Sequence, residues 1–468
     1  MTRAGSPALV AVLAVVALLG GACAPRFDKT TDSSAQASAR PTDATGEQVT
    51  TAPGGQSGAT SGGPASGGTG SGATNPTSAG QTVVRRGGTV KIGGLFPLSG
   101  GLSRLGIPAF QAANAYFRWL NDHGGIDGTK IQFIPCDDEA NDTRSTTCAR
   151  KLVDQDGIFA MGPSFTPFSL TVTGQLERQG IPWVGYDGIN TEGFSATNVV
   201  TVGAPIEPMA HALFTSWYRT IERSRGSPPK KIGAVVLNVA PAKTYIREVK
   251  QVICPKLGCT VAREQLVNFT DTEYATVCRN MQNERVDAVW IVTDPATAVK
   301  LLVQCREVNY VPPAKWLGQH GIYMNLTLDQ AGPIADGTYA NGAVLPDSVD
   351  VPANREMKKI VTTYYRDADF GYFASLGYAS ARLVEDLLRA AFKTGASLTR
   401  RGFLDAASGI SSYDCHGLCK DVNLASPPAK HGGNHNIWIV RASGGRWVQA
   451  AGPIDAWRTE TWPRPGRP

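Results

Sequence analysis

The sequence predicts an α/β protein built as two doubly wound lobes of parallel sheet. Three observations carry that expectation. Between Val90 and Val308, apolar runs of strand length alternate with amphipathic stretches of helix length, a rhythm that right-handed crossovers turn into parallel sheets covered on both faces. The alternation pauses after Tyr186 and restarts at Ile206, giving two units of similar size. The chain has 468 residues, more than one core sustains, since single cores stop growing near roughly 250–300 residues.

Taken in order, residues 1–23 open with Arg3 and an apolar run from Ala8 to Leu19, too short to span about 30 Å of hydrocarbon and therefore a secretory signal. Its ending, Leu-Leu-Gly-Gly-Ala-Cys, resembles a bacterial lipobox, which implies lipidation of Cys23, although Gly20 stands where Leu is usual. From Asp28 to Thr82 there is no Leu, Ile, Met or aromatic residue, only Gly, Ser, Thr, Ala, Pro and polar residues around Val49. Such a segment cannot bury enough apolar surface to offset its ordering entropy. We expect residues 24–87 to act as a flexible tether, in which the 55 residues from Asp28 to Thr82 span about 40 Å.

The body begins with a strand at Val90–Phe96, a Ser-Gly-Gly turn at Ser99–Gly101, and a helix marked by Phe110, Ala113, Phe117 and Leu120. Strands at Ile131–Cys136, Ile158–Met161 and Ile181–Tyr186 then alternate with helices at Thr143–Val153 and Pro167–Arg178. The second unit reads as helix Ile206–Ile221, strand Lys231–Leu237, helix Tyr245–Val252, strand Cys259–Leu266, helix Glu273–Glu284, strand Ala288–Val292 and helix Pro295–Val308. A segment around Gly337–Leu345, helices at Ala353–Asp367, Phe373–Lys393 and Thr399–Ala407, and strands at Asn436–Val440 and Arg446–Ala450 complete it. In open α/β sheets a ligand sits beyond the carboxyl ends of the strands.

The net charge of +6 arises from 45 basic and 39 acidic residues spread along the chain, without the dense basic runs that nucleic-acid binding needs. Setting Cys23 aside leaves an even number of cysteines, as suits an oxidising, exported location. Their spacing suggests the local pairs Cys136–Cys148, Cys254–Cys259, Cys278–Cys305 and Cys415–Cys419, though sequence alone fixes no connectivity. No GxxxxGK[ST], HExxH or GxSxG stands in a strand-turn-helix context. His431 and His435 lie in a Gly-rich loop without a third ligand nearby, and Asp137-Asp138 reads as a loop and cap element. No enzyme activity, metal or cofactor is expected.

The loops carry a resemblance. Residues 90–106 (VKIGGLFPLSGGLSRLG), NDHGGIDGT at 121–129, CDD at 136–138, ARKLV at 149–153, MGPS at 161–164 and QGIPWV at 179–184 follow one another as in the type I periplasmic solute-binding proteins, in the branched-chain amino acid and amide group of ABC importers. The resemblance implies lobe 1 at residues 88–207 plus 335–435 and lobe 2 at residues 208–334 plus 436–455. These would be joined by three crossings, with 456–468 as a tail. It also implies a monomer at the extracytoplasmic face of the cell membrane, closing on a small polar or amphipathic solute and presenting it to an ABC permease. A ligand sensor acting on a membrane signalling partner is the alternative use of the same fold.

Carried over position by position, the family's contacts fall on Ser99, Leu105, Phe165, Thr166, Tyr186, Asp187, Gly188 and Ile189, and in lobe 2 on Tyr245, Asp294, Gln319 and His320. Asp294 before Pro295 and Thr166 before Pro167 also read as helix caps. Tyr186, Phe165, Trp316 and Tyr323 are candidate aromatic walls, with core packing as the competing role. Amino acid receptors of this family usually place a carboxylate where His320 stands, and a small residue followed by Thr where this chain has Tyr-Asp-Gly-Ile-Asn. A neutral His cannot replace a carboxylate opposite an ammonium group, so binding of leucine, isoleucine or valine is expected to be weak or absent; Asp187 and Asp294, both at strand carboxyl ends, are the alternative partners for an ammonium group.

Overall fold

The computed structural model describes residues 83–167, 169–186, 190–393, 397–459 and 461, all within the compact unit Thr74–Pro468. Cys23, the expected signal and the expected tether up to residue 82 lie outside the described residues. Strand β1 (Val84–Arg85) precedes a five-stranded parallel sheet made of β2 (Thr89–Phe96), β3 (Lys130–Asp137), β4 (Ala160–Met161), β5 (Trp183–Val184) and β6 (Val199–Val200), in the order β3-β2-β4-β5-β6. Its faces are covered by α1 (Ser103–Asp122), α2 (Asp142–Arg150) and α3 (Ser169–Arg178). The side chain of Asn141 caps α2 by accepting from the Arg144 N–H.

The second sheet has seven strands, β7 (Lys231–Leu237), β8 (Thr260–Val267), β9 (Ala288–Val292), β10 (Trp316–Gly318), β11 (Tyr339–Gly342), β13 (Asn436–Ser443) and β14 (Arg446–Asp455), in the order β14-β13-β11-β10-β9-β7-β8. The first five run parallel, and β13 and β14 close one edge as an antiparallel hairpin. Gly444 and Gly445 turn that hairpin with φ of 57° and 73°, the left-handed pair that matches the twist of tight hairpins. The helices of this lobe are α4 (Ile206–Arg225), α5 (Ala240–Glu248), α6 (Cys254–Leu257), α7 (Ala275–Asn283), α8 (Pro295–Glu307) and α9 (Asn325–Ala331).

The chain then returns to the first lobe as α10 (Pro352–Tyr364), α11 (Tyr372–Lys393), β12 (Ser397–Leu398, paired with β1), α12 (Arg400–Ser408) and α13 (Pro428–His431). Helices α1 and α11 pack along their length, with the Tyr116 hydroxyl hydrogen-bonded to Glu385. Their backbones approach so closely at Gly377 that a Cβ there would stand 2.2 Å from the Ala109 carbonyl oxygen.

The expected division between lobes at residue 335 differs from the sheet topology. Tyr339 pairs with Leu317 and the whole of β11 pairs with β13, so this strand belongs to the second sheet and the return to the first lobe follows Gly342. The three crossings implied by the resemblance are present, at 201–205, 343–351 and 432–435. Buried Asn434 joins them: its Nδ2 donates to the Val202 carbonyl at 2.6 Å and to the Ala343 carbonyl at 2.8 Å, and its Oδ1 accepts from the Asn436 N–H.

The four expected disulfides are formed: Cys136–Cys148, Cys254–Cys259, Cys278–Cys305 and Cys415–Cys419. Cys278–Cys305 binds α7 to α8 on one face of the second sheet, with Cα atoms 5.2 Å apart.

Candidate functional site

A cleft with about 550 Å³ of empty space, part of it open to solvent, lies where the carboxyl ends of β7, β9 and β10 face the loops of the first lobe. Leu102, Leu105, Phe165, Pro167 and Phe373 line it from one lobe; Leu237, Val239, Pro241, Ala242, Tyr245, Val292, Thr293, Asp294, Gln319, His320 and Gly321 line it from the other. Most of this surface is apolar, and none of the described lining residues is Lys or Arg. Phe165 and Phe373 meet with ring centroids 4.5 Å apart and form one wall. Outside them, Phe269 lies against Gly101, where a Cβ would stand 2.7 Å from the ring. Only a glycine lets the two lobes approach this closely at that point.

Asp294 ends β9 and caps α8: its Oδ1 accepts from the N–H groups of Ala296 and Thr297 at 3.0 and 3.1 Å, while its buried Oδ2 has no partner. The α8 terminus therefore offsets much of its charge. Gln319 follows β10, fixed by its N–H to the Ile291 carbonyl at 3.1 Å. Its side chain is 2% exposed, and neither Oε1 nor Nε2 has a partner in the chain.

His320 comes next, its Nδ1 3.3 Å from the Tyr245 hydroxyl and its ring 5.2 and 5.7 Å from those of Tyr372 and Phe373. Burial pushes its pKa down to about 4 and pushes the Tyr245 hydroxyl well above its ordinary value, so both are neutral at ordinary pH. The unfolded chain takes up a proton on His320 near pH 6.5 and the folded chain only near pH 4. Stability should therefore rise with pH across that window, by up to about 3 kcal/mol from this group alone. Groups whose folded pKa is raised, such as Asp369 at about 6, oppose it, so the difference between wild type and His320→Gln in urea titrations at pH 4.5 and 7 is the measurement. Equal pH dependence in both would refute the assignment.

Of the residues expected from sequence, Leu105, Phe165, Tyr245, Asp294, Gln319 and His320 come together here. Ser99, Thr166 and Tyr186 do not line the cleft. The exposed Ser99 hydroxyl donates to Asp137 Oδ2 at 2.7 Å, and burial of that carboxylate is outweighed by bonds from Ser99, Glu139 and Leu98 that hold its pKa low. Thr166 is buried against Ser145 and Asp138. The Tyr186 hydroxyl is engaged by Ser169 and the Asn190 carbonyl at 2.9 and 2.7 Å.

Asp187, Gly188 and Ile189 lie outside the described residues. Trp316 and Tyr323 are core: Trp316 packs on Tyr310, and Tyr323 donates to Asp347 at 2.9 Å. The other lining residues, Val239, Pro241 and Phe373 among them, are not expected from sequence; Leu102, Pro167, Thr293 and Gly321 stand in the same loops as expected contacts. Among the described residues no group of His, Cys, Asp or Glu converges as for a metal ion; His435 instead pairs with Asp455 and stacks on Trp457.

Among curated proteins, the chain is similar to the Leu/Ile/Val-binding protein homolog 8 of Brucella abortus (strain 2308), 24% identical over 256 residues. That match covers 53% of this chain and 63% of the relative, so the chain spans less than two thirds of the relative's length. Among solved structures it resembles a branched-chain amino acid ABC transporter protein of Thermus thermophilus with bound valine, at a TM-score of 0.67 and 18% identity, covering 78% of this chain and 96% of that one. It also resembles a fatty acid ABC transporter substrate-binding protein of Thermomonospora curvata, at 0.64 and 18%, covering 80% and 95%. The profile of the periplasmic binding proteins matches residues 89–446. With two parallel-sheet lobes, three crossings and a cleft at the strand ends, the chain belongs to the periplasmic binding protein family and carries its type I fold.

Proposed function

We propose that this protein is the solute-binding component of an ABC importer, a monomer held at the extracytoplasmic face of the cell membrane by a lipid on Cys23. It closes on a small solute with an uncharged, largely apolar body and presents the closed form to the permease. The observation that carries the choice of solute is the makeup of the cleft: aromatic and aliphatic walls, a neutral His320, and no Lys or Arg among the described lining residues. A free amino acid would bring in an ammonium group, which among the described lining residues only Asp294 could meet, with one of its oxygens already taken by α8, and a carboxylate with no cationic partner there; a charge buried without a partner costs several kcal/mol.

Titration calorimetry of ligand-stripped protein should accordingly show weak or no binding of leucine, isoleucine and valine, and tight binding of any of the three would refute this choice of solute. Anchoring rests on Cys23 at the end of the apolar signal and on the tether that follows. Changing Cys23 to Ala should move the mature body from the membrane fraction to the soluble fraction; a variant that stays with membranes after signal cleavage rules out the lipid.

A further inference from the structure

We infer that Gln319 sets the specificity of the cleft, and that it selects a neutral planar solute presenting an N–H donor and a carbonyl acceptor side by side, as along the edge of a lactam or cyclic imide. The inference rests on the proposed solute-binding role and deepens it. A side-chain amide offers one acceptor and two donors, and nearly all buried polar groups in folded proteins find partners. Gln319 is 2% exposed and has no partner for either end, although it lines the cleft. One partner group can satisfy both ends only by offering a donor and an acceptor together.

The neighbours narrow the charge of that group. Asp294 brings a carboxylate into the cleft, no described lining residue is cationic, and His320 stays neutral, which disfavours an anionic solute. The Asp294 Oδ1 is taken by two N–H groups of α8, so its charge is partly met before any ligand arrives. The wall formed by Phe165 and Phe373 suits a flat ring attached to the amide edge.

The test compares three probes of one size on the full chain: quinolin-2-one, N-methylquinolin-2-one and 2-naphthoate. Methylation removes the donor and leaves the rest of the ring system. Quinolin-2-one should bind about tenfold or more tighter than its N-methyl analogue, the usual consequence of leaving one buried polar group unpaired, and 2-naphthoate should bind least. Gln319→Met and Gln319→Leu, which offer neither donor nor strong acceptor, should both erase the preference, with melting temperatures showing that each variant is folded. A preference that survives both substitutions assigns the readout to another residue and overturns the inference. If the lactam and its N-methyl analogue bind equally, and both are weakened by Phe373→Ala, the inference fails while the apolar cleft stands as a binding site. Failure of both to bind overturns it as well, whereas the amino acid titrations test the underlying reading separately.

Discussion

Asn434→Leu is expected to lower stability by roughly 2–5 kcal/mol and to loosen the junction between the lobes. The side chain is 1% exposed, and its amide holds carbonyls from the two other crossing segments at once. Leucine fills a similar volume and donates nothing, so the Val202 and Ala343 carbonyls lose a buried partner, each at about 1–3 kcal/mol. Because the three crossings are distant in sequence, no local element takes over the role. Chemical denaturation measures the first effect, and limited proteolysis across residues 343–351 the second. A variant within 0.5 kcal/mol of wild type would mean that other contacts hold the crossings.

The second large effect concerns Cys278–Cys305. Replacing both residues with Ala frees a loop closed over a sequence separation of 27, for which chain entropy alone predicts about 3.5 kcal/mol. Both residues are buried, so small cavities add to the loss. The consequence reaches the cleft, because α8 begins at Asp294 and the disulfide ties that helix to α7. Removing Cys415–Cys419, whose separation is 4, should cost less, about 2 kcal/mol. Thermal melts of both double variants give the comparison, and the reverse order would refute a loop-entropy account.

Legibility of the sequence followed the physics of each segment. Strands β7 and β9 fall at the expected residues, because Lys231–Leu237 and Ala288–Val292 are buried, mostly aliphatic runs bounded by turn residues or caps. The three-residue β10 is too short to show any period, and β11 gives no sign of which sheet it joins, since membership depends on partners about 100 residues away along the chain. In the cleft, Asp294, Gln319 and His320 were legible because they directly follow strands. Phe373 was not, because its spacing with Leu376 and Gly377 is that of any buried helix face. Ser99, Thr166 and Tyr186 also lie at or near strand ends, but the direction of a side chain there is set by neighbours such as Asp137, Ser145 and Ser169, which local sequence does not reveal.

The pairing of α1 with α11 has a consequence for the order in which the molecule is assembled. Tyr116 and Glu385 are separated by 269 positions, so when the chain has emerged as far as β6, the side of α1 turned to α11 has nothing to cover it. The second lobe has most of its strands in one stretch from Lys231 to Gly342 and can collapse while the first still waits. A chain released N-terminus first thus carries an unfinished first lobe until α11 arrives.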